Sequence, residues 1–148
     1  MKAVPALVIS LALVVLFACS KDKFETKPRV EIKEYNTHDI SRNGGLEIVL
    51  RYYDKEGDLG RAAFYAERIR TNLDTFTSIP KADKFPSALP DFPDRQDGEI
   101  IFRLDYNSLR ENNDPNIIDS MIFKFAVMDR AGNPSDTITS DLVVVRGE

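Results

Sequence analysis

Two short loops hold the residues in this chain that are best suited to binding a cation. The first loop follows an alternating run that ends at Tyr53, and it carries a carboxylate at every second position. The second loop follows a later alternating run and is rich in aspartate and asparagine. The oxygen-bearing residues are Asp54, Glu56, Asp58, Asp129, Asn133 and Asp136. Calcium accepts carboxylate and carbonyl oxygens in irregular geometry, so these six residues predict a calcium site if the two loops share one end of the fold.

The same residues also have a plainer role as turn formers. Asp-Gly and Gly-Asn steps favour tight turns, in which the side chains cap local backbone amides. The first loop is not an EF-hand, which needs glycine at its sixth position and glutamate at its twelfth. Counted from Asp54, those positions hold Leu59 and Tyr65. A calcium site would therefore be assembled between the two loops, and turn formation alone is the alternative.

The motifs of common enzymes are missing from the sequence. The only histidine, His38, lies in a polar run and is expected to be a solvated loop residue, and there is no Gly-x-Ser-x-Gly nucleophile elbow. Carboxylate pairs are inevitable among 24 acidic residues, and tryptophan, common in sugar-binding clefts, is absent. The glycines do not have the spacing of a nucleotide-binding loop. We therefore predict that the protein is not an enzyme, and a small carboxylate-based hydrolase is the least favoured function.

The N-terminal residues have the pattern of an export signal that ends in a lipidation site. Lys2 precedes an uncharged run over residues 3–18, and polar residues follow directly after Cys19. This junction resembles the lipobox of bacterial lipoproteins, in which the cysteine is lipidated and becomes the mature N-terminus. We expect a signal peptide over 1–18, a lipidated Cys19 and a polar tether over 19–27.

Two other readings of the N-terminus are an uncleaved signal anchor and an ordinary secretory signal. The apolar run is shorter than the roughly 20 residues that span a bilayer, and neither reading explains where the only cysteine lies. Ser20 follows the cysteine, so an aspartate that retains lipoproteins at the inner membrane is missing. The next residues partly resemble the lysine-plus-acid signal of surface lipoproteins. The sequence therefore predicts an outer-membrane lipoprotein of the cell envelope, and it leaves open whether the domain faces the periplasm or the cell surface.

Composition limits the partners of the chain. Its net charge of -4 disfavours nucleic acid, because phosphate binding depends on clustered lysine and arginine. A single cysteine excludes an internal disulfide and a cysteine-rich zinc site. The remaining partners are the membrane, reached through the lipid anchor, and an unidentified envelope protein or glycan.

Alternating apolar and polar residues dominate the chain after Pro28. The clearest runs are 46–53, 100–106 and 121–128, and glycine-containing turns separate them. This pattern predicts an all-β fold: a single antiparallel immunoglobulin-like β-sandwich of about seven strands over residues 28–148, after the signal peptide.

Two segments fit this pattern less well. Residues 61–70 are rich in helix formers, but their neighbours favour a strand. Residues 71–97 carry four prolines, which favour an edge strand flanked by irregular chain over a functional loop. If 61–70 is a strand, Arg68 and Arg70 would join Arg51 and Arg103 in an outward basic stripe. Cross-strand pairing of these arginines with glutamates, among them Glu47, is the simpler interpretation.

Together with the lipobox, the two loops carry a family resemblance. Asp54 to Gly60 and Asp129 to Asn133 are similar to the D-x-D/E-G-D-x-G and D-R-A-G-N signatures of small immunoglobulin-like lipoproteins of Bacteroidota, of the fibronectin III or cadherin-like kind. Most of these have no assigned activity. We therefore expect a non-enzymatic, lipid-anchored envelope module for binding or structural spacing, which calcium would stabilise if the two loops form a site. The alternative is an accessory lipoprotein of a glycan-uptake or secretion assembly.

Overall fold

The computed structural model describes residues 26–72, 81–110, 114 and 116–147. The expected signal peptide over 1–18, the lipidation site Cys19 and most of the tether over 19–27 lie outside the described residues. In chain order, the strands are β1 (Arg29–Tyr35), β2 (Asp39–Ile40), β3 (Gly45–Tyr53), β4 (Ala63–Arg70), β5 (Ala82–Ala88), β6 (Asp97–Asp105), β7 (Asp119–Met128), β8 (Ile138–Thr139) and β9 (Val143–Val145). A four-residue helix, α1 (Tyr106–Leu109), follows β6.

The strands form two sheets that pack face to face. One sheet has the order β1-β3-β6, and the other has the order β2-β9-β7-β4-β5, with β8 beside β7. The strands pair antiparallel except for the short contact between β2 and β9, which is parallel. The predicted all-β, immunoglobulin-like sandwich is confirmed, and β2 and β8 are short additions to its seven longer strands.

The core is built by the middle strands of the two sheets. On β7, alternate side chains are fully buried and intervening ones are half-buried, as strand geometry requires. The buried residues include Phe123 and Phe125, both 0% exposed. Phe102 on β6 reaches across from the other sheet, with its ring centroid 5.4 Å from that of Phe123 and 5.2 Å from that of Phe125. This aromatic contact joins the two sheets.

Residues 63–70 form strand β4, as the neighbouring runs predicted, between β5 and β7. The prediction of an outward basic stripe is wrong for Arg68 and Arg70, because these residues are only 6% and 3% exposed. Both guanidinium groups contact Asp83 on β5, and Arg70 does so at 2.5 Å. The shared, half-buried carboxylate of Asp83 lets the two arginines continue the buried face of the strand. The cross-strand pair of Arg103 with Glu47 is confirmed, at 2.6 Å.

The long connection after β4 contains an edge strand, as predicted. Strand β5 pairs with β4 on one side only, so Pro86 is accommodated without loss of a central hydrogen bond. Strand β6 ends one residue earlier than the alternation predicted. Asp105 accepts a hydrogen bond from the backbone N–H of Ser108 at 2.7 Å, and this cap starts α1 at Tyr106.

Candidate metal centre

The two acidic loops begin where the middle strands of the facing sheets end. Asp54 directly follows β3 in one sheet, and Asp129 directly follows β7 in the other. The loop after β3 turns back and adds Asp58. One carboxylate oxygen from each of these three residues lies within 4.8 Å of the others. The fold therefore joins both predicted loops in one acidic cluster, named here the carboxylate triad.

The loop after β3 is held in place by the chain between β5 and β6. Gly57 has a φ of 74°, and a Cβ at this position would lie 3.1 Å from the backbone nitrogen of Arg95. Glycine meets both requirements, the left-handed backbone and the close approach. The Arg95 N–H donates to the Gly57 carbonyl at 3.2 Å, and the Asp54 N–H donates to the Gln96 carbonyl at 2.7 Å. These bonds fix where Asp54 and Asp58 lie.

Asp129 is oriented by its own loop. Its Oδ1 accepts a hydrogen bond from the Asn133 backbone N–H at 2.7 Å, and its Oδ2 accepts one from the Asn133 side-chain amide at 2.9 Å. Gly132, with a φ of 90°, allows the tight turn that brings Asn133 back. Asn133 therefore positions Asp129 by direct contact.

Asp54 is the most enclosed member of the triad, with 2% of its surface exposed. Its Oδ2 accepts a hydrogen bond from the Asp58 N–H at 2.8 Å. Its Oδ1 and the Oδ1 of Asp58 are buried and accept no hydrogen bond from any residue that the structure describes. Burial is the main cause that raises the pKa of Asp54, and the neighbouring Asp58 carboxylate adds to it, while the Asp58 N–H partly offsets both.

Arg130, which follows Asp129 in the chain, joins the second loop to the first loop and to Asp94. Its Nε donates to the backbone carbonyl of Asp58 at 3.1 Å, and its terminal nitrogen contacts the Asp94 carboxylate at 3.1 Å. These two bonds hold the loop after β3 in place, and neither of them involves a triad carboxylate. Three closely spaced carboxylates, two of them almost fully buried, fit a hard divalent cation with oxygen ligands.

The other three predicted ligands, Glu56, Asn133 and Asp136, are not members of the triad. Glu56 is exposed to solvent, and the half-buried Asn133 contacts Asp129. The side chain of Asp136 is 89% exposed and forms an ion pair with Lys27. Of the six residues predicted as calcium ligands, Asp54, Asp58 and Asp129 are therefore brought together.

His38 lies on the surface next to the β2–β9 pair. Its side chain is 49% exposed, with Nε2 3.4 Å from an Asp141 oxygen, and its ring centroid is 4.2 Å from that of Tyr35. The predicted solvated histidine is thus confirmed.

An apolar groove that the sequence analysis did not predict opens between the edge strands β5 and β6. It has a volume of about 580 Å³. Its aromatic and aliphatic lining includes Tyr52, Phe64, Phe85, Phe92, Ile100 and Phe102. These residues come from segments distant in sequence, so no single motif marks the groove. In the sequence, the groove is signalled only by the alternation of β6 and by the phenylalanines of β4 and β5.

In the part of the chain that the structure describes, no helix has the length and apolar character needed to cross a membrane.

No family model and no curated protein sequence matches the chain. Among solved structures, the chain is similar to a β-glucosidase from Listeria innocua in complex with glucose, with 10% identity and a TM-score of 0.44 over 83% of this chain. A β-glucosidase from Kluyveromyces marxianus in complex with glucose gives 10% identity and a TM-score of 0.39. The chain spans about a sixth of these enzymes, 16% and 15% of their lengths.

Proposed function

We propose that this protein is a non-enzymatic, lipid-anchored module of the cell envelope that serves in binding or structural spacing. The observation that carries the proposal is the lone cysteine at the end of an uncharged run, followed at once by a polar tether and the sandwich. Strand β1 begins at Arg29, so the tether between Cys19 and the domain is short. Its eight residues 20–27 extend to about 26 Å, enough to hold the domain clear of lipid headgroups.

The way the chain enters the domain shows which end of the sandwich lies next to the tether. Arg29 at the start of β1 is paired in register with Tyr53 at the end of β3. Lys27, just before β1, forms an ion pair with Asp136 in the loop after β7. The tether therefore joins the sandwich at the end that carries the carboxylate triad. In an anchored protein the attachment to the lipid is therefore made from the end of the sandwich that carries the triad.

The burial of the acids supports a non-enzymatic role. A catalytic carboxylate must touch its substrate or a reacting water. Asp54 and Asp129 are only 2% and 3% exposed, and both are held by amides of their own loops. Their geometry suits the support of the fold better than the turnover of a ligand.

The second candidate function is that of an accessory lipoprotein in a glycan-uptake or secretion assembly. The groove between β5 and β6 favours it, because edge strands beside an apolar groove suit a partner chain. Stoichiometric co-purification of one envelope protein with the detergent-solubilised lipoprotein would favour this function over an isolated spacer.

Replacing the cysteine tests the anchored module directly. The Cys19→Ser variant should accumulate as an unprocessed precursor, and a radioactive fatty acid should no longer label it, because serine has no thiol to acylate. The matched control is Ser20→Ala, which leaves the thiol in place and should be processed and labelled like the wild type. Equal labelling of the wild type and Cys19→Ser would contradict the anchor.

A further inference from the structure

We propose that Asp54, Asp58 and Asp129 form a calcium site that ties the two sheets of the sandwich together. The proposal stands on the geometry of the loops and does not depend on lipidation at Cys19. Asp54 extends β3 of one sheet and Asp129 extends β7 of the other, while the loop after β3 supplies Asp58. An ion bound here bridges the sheets at the end where the tether enters.

The unpartnered oxygens are the observation that distinguishes a cation site from ordinary turns. Turn formation accounts for both oxygens of Asp129, which accept hydrogen bonds from Asn133, and for Oδ2 of Asp54, which accepts one from Asp58. It gives no partner, among the described residues, to the buried Oδ1 atoms of Asp54 and Asp58. A buried polar atom that lacks a partner is costly, and a bound cation supplies the missing one for both atoms.

The donor set and its spacing favour calcium. All three side chains offer oxygen as the ligand atom, whereas zinc and copper prefer nitrogen and sulfur ligands. Calcium binds oxygen at about 2.3–2.6 Å, so two ligands on opposite sides of one ion lie up to about 5 Å apart. The triad oxygens lie within 4.8 Å of one another, so they can surround one calcium ion. Magnesium demands near-ideal octahedral geometry, whereas calcium accepts the irregular arrangement that three loop carboxylates offer.

The ligand count leaves room for a calcium ion to complete its shell. Three carboxylates supply three to six oxygens, and waters or backbone carbonyls supply the rest of the six to eight that calcium takes. The hydrogen bonds that Asp129 already accepts do not prevent binding, because each carboxylate oxygen has two lone pairs. The ion also offsets the repulsion among three converging negative charges.

A thermal melt of the full chain in detergent tests the site. Extracellular modules bind calcium with dissociation constants of about 10⁻⁴–10⁻³ M, so a ten-fold excess over the dissociation constant needs about 1–10 mM calcium. Relative to chelator, calcium should raise the melting temperature of the wild type by about 3–8 °C. Asp58→Asn and Asp129→Asn should lose most of this shift. Asp136→Asn is the matched control, since it removes an exposed acid of the same loop and should keep the shift.

Equilibrium dialysis with radioactive calcium complements the melt and needs no variant to fold. The wild type should bind one ion per chain. An absence of bound calcium, or a wild-type melt that is the same in calcium and chelator, would overturn the proposal. An equal shift with magnesium would overturn the assignment to calcium. Loss of the calcium shift in Asp136→Asn to the same extent as in Asp58→Asn would overturn the choice of ligands.

Discussion

Truncation of Phe123 to alanine should lower the free energy of unfolding by about 3–5 kcal/mol. Phe123 is 0% exposed in the middle of β7. Its ring lies 5.4 Å from that of Phe102 in the facing sheet and 6.2 Å from that of Phe125 on its own strand. The substitution removes apolar contacts and leaves a cavity between the sheets, because neighbouring strands relax only in part.

The neighbouring residue provides the control. Lys124 lies on the other face of β7 and is only half-buried, so Lys124→Ala should change the free energy of unfolding by about 0.5 kcal/mol or less. Urea denaturation followed by far-UV circular dichroism gives both values. Equal effects of the two substitutions would contradict the inward direction of Phe123, since side chains alternate along a strand.

The second large effect is expected from Asp83→Asn, which removes the carboxylate shared by two buried arginines. The guanidinium groups of Arg68 and Arg70 both contact Asp83, whose own side chain is 29% exposed. Arg68 also donates to the Ser108 carbonyl at 2.7 Å. Removal of one partner of a buried ion pair costs about 3–5 kcal/mol, and the partial exposure of Asp83 places the expected loss at about 3 kcal/mol.

A surface aspartate serves as the matched control for this substitution. Asp97 contacts Arg51 at 2.9 Å, but its side chain is 55% exposed, so Asp97→Asn should cost less than about 1 kcal/mol. Denaturant unfolding at pH 7 measures both variants. A loss for Asp83→Asn no larger than that for Asp97→Asn would show that the two arginines do not depend on the shared carboxylate.

The effect of Asp83→Asn should also depend on pH. Hydrogen bonds from Arg70 and Arg68 lower the pKa of Asp83 below its ordinary value. A carboxyl with a lowered folded-state pKa contributes stability above its unfolded value of about 3.9. That contribution is lost as the pH falls through the lower folded-state pKa. The difference between wild type and Asp83→Asn should therefore be complete at neutral pH and shrink below about pH 4.

The strands and their buried faces could be predicted from the sequence because alternation is a local signal. Runs such as 46–53 and 121–128 show which side chains face inward without any knowledge of their partners. Residues 63–70 became a strand despite their helix formers, because they lie between β5 and β7. Tertiary contacts override helix propensity at such a place.

The features that depend on distant partners could not be predicted from local pattern. The inward direction of Arg68 and Arg70 depends on Asp83, which lies on another strand. The meeting of the two acidic loops could be predicted from the sandwich plan, because β3 and β7 end on the same side. Which acids meet could not be predicted, since Glu56 and Asp58 are alike in sequence and differ only in the direction that the Gly57 turn gives them.

The most direct test of the anchored module is the mass of the N-terminal peptide of the mature protein, isolated from membranes. We expect a chain that begins at Cys19, lacks residues 1–18 and carries acyl chains on that cysteine. The polar tether would then lead directly into β1 at Arg29. A chain that begins at Met1 or at any residue other than Cys19, or a Cys19 that carries no lipid, would contradict the lipid-anchored module.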